Sequence, residues 1–191
     1  MKGVYYVMNK KFIGSITSIV VLLLSILFIP NNSLIISVYA AYENTWSNTG
    51  DQRVDIVEIA KTQVGYHEGS LEGTTNASNN YTKYNKDLYK INGSYNYAWC
   101  QSFVSWCAKQ AGISTDIIKR TAGTIDAKDF FINNDIYYTG PYEGGNYIPK
   151  SGDIIYFYSK ESDSKHHVGI VESCDGSIVY TIEGNSGDMV K

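Results

Sequence analysis

The sequence predicts an α+β fold, with helices first and a mainly antiparallel β-sheet after them. Two observations carry this. Apolar residues recur at helical spacing in 54–64 and again in 100–111, whereas β-branched and aromatic runs crowd into 154–185.

The first forty residues read as a leader outside the fold. Lys2, Lys10 and Lys11 form a basic start, Phe12 to Ile29 is an apolar run, Pro30 ends it, and Val38-Tyr39-Ala40 offers the small residues of a signal-peptidase site. Cleavage after Ala40 is expected, with an uncleaved membrane anchor as the alternative. Either way the remainder is exported. Losing the leader removes three lysines and no acid, so the formal charge moves from −3 to −6. An acidic chain with no basic stripe argues against a nucleic-acid partner. About 150 residues then remain, enough for one core.

Residues 41–50 read as a linker, and 51–191 as one domain. From Asp51, which can cap, Val54, Val57, Ala60 and Val64 mark an amphipathic helix widened by Ile56 and Ile59. Residues 67–97 are poor in aliphatics and form a surface excursion with a short helix around Thr82 to Tyr89. Its tyrosines, Tyr81, Tyr84, Tyr89, Tyr95 and Tyr97, fit either a substrate groove or loop anchoring. The central helix opens at Cys100, carries Phe103, Val104, Cys107, Ala108 and Ala111 on one face, and stops at Gly112. A helical turn near Ser114 to Lys119, a helix around Ile125 to Ile132 and a short strand at Ile136 to Thr139 follow. Three strands complete the pattern: Ile154 to Tyr158, His166 to Ser173 and Ile178 to Asn185. The chain stops where a further strand would begin.

Cys100 is the chemical centre of this reading. A helix N-terminus carries partial positive charge and unpaired N–H groups, which favour a thiolate. Three cysteines in an exported chain leave at least one thiol free. Cys100 and Cys107 stand roughly 10 Å apart along a helix, beyond disulfide reach, while Cys107 with Cys174 stays open. A cysteine nucleophile needs a base, and the base needs an orienting group. Of the three histidines, His67 lies in the early loop and is expected to be exposed. His167 shares a strand face with Gly169, whose lack of a side chain would let a helix approach, so His167 is expected to face Cys100 and His166 to flank it. A two-residue turn at Asp175-Gly176 would put Gly184 opposite His167. A three-residue loop, Cys174-Asp175-Gly176, with Gly176 left-handed in a bulge, would instead put Glu183 there, and this is the expected hairpin. Asn185 shares Glu183's face and could polarise the histidine or line the site.

Trp99-Cys100, Phe103-Val104-Ser105-Trp106, Gly152-Asp153-Ile154, His167-Val168-Gly169-Ile170-Val171 and Ile182-Glu183-Gly184-Asn185, with Asn80 to Tyr84 before them, resemble the CHAP family of cysteine, histidine-dependent amidohydrolases and peptidases. The resemblance runs from about Val54 to Val190. It implies a papain-like fold, hydrolysis of amide bonds in bacterial peptidoglycan, Cys100 as nucleophile, His167 as base, and Glu183 with Asn185 as supporting polar groups. No cofactor and no metal are expected, with calcium as the open alternative, and the acidic charge leaves targeting to a wall-binding partner or further domain. Gln101 stands where a small residue is common, which would alter the groove. A catalytically inactive wall-binding module and an NlpC-type hydrolase are the alternatives. The first sits badly with Cys100, His167 and Glu183 all being present, the second with the Glu-Gly-Asn segment. The histidines and acids form no zinc pattern, and no EF-hand-like run appears.

Overall fold

A computed structural model describes residues 2–6, 46–93, 95–141, 144–158 and 167–191. Helices precede the sheet, as the apolar spacing predicts, apart from one strand at the N-terminus. Asp51 caps α1 (Gln52–Lys61) by accepting from the Arg53 N–H at 2.9 Å. The helix ends one turn before Val64, and Val54 and Val64 are exposed. Its buried stripe is Ile56, Val57, Ile59 and Ala60 instead. Asp55, also buried on α1, accepts from the backbone N–H and the hydroxyl of Thr49 at 2.9 and 2.8 Å. Residues 46–50 are therefore tied to the domain rather than free as a linker. A buried carboxylate needs donors, and the preceding chain supplies them.

Thr82 caps α2 (Lys83–Asp87), and α3 (Tyr89–Asn92) ends at Gly93. Tyr84 is wholly buried, stacked on Trp99 at 5.4 Å and edge-on to Phe103 and Trp106, so it belongs to the core and not to a groove. On the surface, Tyr89 stacks on Tyr95 at 4.6 Å and Tyr81 meets Tyr95 edge-on. The central helix, α4 (Cys100–Gln110), buries eight of its eleven residues. It packs on α1 and on the sheet face formed by Ile154, Tyr156, Val168, Ile170 and Ile182. A turn containing the buried Ile118 leads to α5 (Thr124–Asn133). The strand expected at 136–139 is absent, and that segment is irregular.

The sheet order is β1-β2-β3-β4, antiparallel throughout, from β1 (Lys2–Tyr6), β2 (Ile154–Tyr158), β3 (His167–Cys174) and β4 (Val179–Ile182). β1 departs from the reading of 1–40 as lying outside the fold. The β-formers Val4, Tyr5 and Tyr6 pair with the otherwise open edge of β2. Residues 7–45, which hold the apolar run and the expected cleavage site, lie outside the described residues, as does His166.

The hairpin also differs from expectation. Asp175 bonds back to Ile178, its carboxylate accepts from the N–H groups of Ser177 and Ile178, and the tip is the two-residue Gly176-Ser177, with Gly176 at φ +95°. A bulge between Val171 and Ser173 then shifts the register, so that Ile170 pairs with Ile182. The extra residue the sequence reading placed in the loop sits in the strand at Glu172, whose carboxylate reaches Lys61 of α1. Beyond β4, Glu183 and Lys191 exchange backbone hydrogen bonds, and Val190 bonds to Gly65 and Tyr66.

Candidate active site

Each functional side chain is set by what precedes or opposes it. The run into Cys100 is held at three points. Asn85, fully buried on α2, donates its amide to the carbonyls of Asn80, Tyr95 and Tyr97 at 2.7 to 3.0 Å. Trp99, the N-cap of α4, donates its indole N–H to the buried Glu68 at 2.6 Å, and Glu68 takes the Asn80 N–H with its other oxygen at 2.8 Å. Trp99 makes no side-chain cap, so the first-turn N–H groups of α4 stay available beside Cys100. Glu68 and Asn85 had no signal in the sequence: an acid and an amide in a polar loop look solvated.

Cys100 is the first residue of α4 and His167 the first of β3, and the two meet at the ends of their elements. His167 Nε2 lies 2.8 Å from Glu183 Oε2, which leaves Nδ1 for the Cys100 thiol. Phe157, its register partner on β2, packs its ring 5.7 Å from the imidazole. Burial disfavours charge on His167, but hydrogen bonds to Cys100 and then Glu183 outweigh it and raise its pKa to about 9. Burial likewise pushes Glu183 up, and the bonds from His167 and Thr181, with the nearby Lys191 charge, hold it below the ordinary carboxylate range. His167 thus stands between the Glu183 carboxylate and the Cys100 sulfur, both of which favour its protonated form. Cys100 is only 5% exposed, at the floor of the site.

The way Glu183 reaches the histidine was not foreseen. Continuing the Ile170–Ile182 register places Glu183 opposite Gly169, so its side chain runs diagonally to His167. A Cβ on Gly169 would stand 2.7 Å from Glu183 Cγ. Gly169 therefore makes room for the carboxylate and not for a helix. The helix approaches through Gly184, where a Cβ would stand 2.5 Å from Phe103 Cβ. Gly169→Ala is expected to leave the fold intact, because the displaced Glu183 side chain lies beyond the end of β4, and to lower kcat by up to about 10²-fold through the loss of the Glu183 contacts to His167 and Thr181. Steady-state kinetics alongside circular dichroism would check this.

The remaining candidates are placed as follows. Asn185 is half-buried in the turn beyond Glu183 at φ +58°, with no hydrogen bond among the described residues to His167 or Glu183. Gln101 is fully buried and accepts from the Tyr156 hydroxyl at 3.1 Å, so it joins α4 to β2 rather than altering a groove. His67 is half-buried, not exposed, and bridges to Met189. All three cysteines are free, and burial pushes the Cys107 thiol well up. Among the described residues no group of three His, Cys, Asp or Glu could hold a metal ion.

Residues 92–185 match the profile of the CHAP domain. No curated protein and no solved structure matches the chain.

Proposed function

Because the stretch 92–185 of this chain is a CHAP domain, the domain of an amidase and peptidase family, we propose that the protein is an exported cysteine hydrolase that cleaves amide bonds in the peptides of peptidoglycan. The observation that carries the reading is the grouping of Cys100, His167 and Glu183: Glu183 Oε2 lies 2.8 Å from His167 Nε2, and Cys100 acts on the same imidazole to raise its pKa. In this reading the Cys100 thiolate attacks the carbonyl carbon, and the free N–H groups of the α4 first turn stabilise the oxyanion. The His167 imidazolium gives its proton to the leaving amine and becomes neutral. Water, deprotonated by neutral His167, then attacks the thioester; the carboxylic acid leaves, and thiolate and imidazolium are restored. Asn185 lines the site from the turn beyond Glu183.

Export follows from the leader at 1–40, whose removal would also strip β1 from the edge of β2. An acidic domain gains no long-range steering toward anionic wall polymers, so a wall-binding domain or partner would supply targeting. Digestion of purified peptidoglycan by wild type and by Cys100→Ala, with the new end groups identified by mass spectrometry, tests the reading and names the bond. Products from both proteins, or from neither, would sink it.

A further inference from the structure

We propose that Thr181 is a positioning residue of this site: its hydroxyl holds the second oxygen of Glu183 and thereby fixes the carboxylate that orients His167. The inference rests on the reading of Cys100 and His167 just given. Glu183 is a long side chain at the end of a strand, and one hydrogen bond to an imidazole leaves its carboxylate free to turn. Here both oxygens are held. Oε2 lies 2.8 Å from His167 Nε2, and Oε1 accepts from the Thr181 hydroxyl at 2.6 Å. Thr181 stands two residues before Glu183, so their side chains leave the chain on the same face. Its β-branched side chain is stiff at χ1, which suits a fixed donor.

A competitor makes the second bond matter. Lys191 exchanges both backbone hydrogen bonds with Glu183, and its charge acts on that carboxylate. With the hydroxyl gone, Oε1 has no fixed donor and the lysine draws the carboxylate away from the histidine. The imidazole then loses both its orientation and the charge that stabilises its protonated form. Nothing in the sequence marks Thr181, because threonine in a strand reads as an ordinary β-former.

Thr181→Val keeps the branch and removes the hydroxyl; Thr181→Ser keeps the hydroxyl. Thr181→Val is expected to lower kcat roughly tenfold with KM unchanged. The His167 titration followed by NMR should move down from about 9. Thr181→Ser should restore both, and adding Lys191→Met to Thr181→Val should recover part of the loss. If the valine variant unfolds, Thr181→Ala gives the same two readouts. A Thr181→Val protein with unchanged kcat and an unchanged His167 titration overturns the proposal, as does a serine variant as impaired as the valine one. The titration needs no substrate. If wild type releases nothing from peptidoglycan, the hydrolase reading falls while the titration still judges Thr181.

Discussion

Cys100→Ala is expected to release no new end groups from peptidoglycan, with a rate loss on the order of 10⁵- to 10⁶-fold, the scale seen when a covalent nucleophile is removed. The residual rate comes from the oxyanion donors alone, which the substitution leaves in place. Alkylation of wild-type protein should match the variant, and Cys107, buried in the core with its thiol pushed up, should resist the same reagent. The pH profile supplies the second half of the result. His167 must be protonated when the amine leaves, and its pKa is raised to about 9, so kcat/KM should hold through neutrality and fall as pH rises through about 9. The same sign applies to stability: the pair's contribution through His167 is complete below that group's ordinary value near 6.5 and is lost as pH rises through about 9. A limb near 6.5 would mean that neither Cys100 nor Glu183 acts on the imidazole.

Gly184→Val is expected to cost about 3 kcal/mol or more of stability, through overpacking that the surroundings cannot relieve. An added Cβ would stand 2.5 Å from Phe103 Cβ, 2.8 Å from its Cγ and 3.0 Å from the Trp99 ring, and both residues are fully buried. Neither can swing aside: Trp99 is tied to Glu68, and Phe103 is wedged edge-on against Tyr84. For a domain of this size the melting temperature should fall by about 10 °C. Differential scanning calorimetry of the two glycine variants would separate their roles, since Gly169→Ala should melt near wild type while losing activity.

The helices and the last three strands were legible because their patterns are periodic. Cys100 was legible because a cysteine at the start of a buried stripe has a known electrostatic setting, and His167 with Glu183 because strand alternation puts them on one face. The hairpin was not. A residue added in the loop and one added as a bulge at Glu172 leave the same alternation afterwards, and only the Lys61 contact and the Asp175 turn decide between them. Glu68, Asn85 and Thr181 were missed because their value lies in partners distant in sequence or hidden in an ordinary strand. β1 was missed because a basic start followed by an apolar run reads as a leader, while the same residues also carry β-formers.

The pairing of Val190 with Gly65 and Tyr66 joins the two ends of the domain, beside the residues that hold Glu183 and Trp99. Contacts between such distant parts of a chain form late, because the intervening loop must close first. Helix α4 gathers contacts local in sequence, whereas His167 and Glu183 are brought to it by pairings between distant segments. An emerging or cut chain therefore presents a cysteine without its base. On the proposed function, hydrolytic competence would be gained late in folding and lost early on opening.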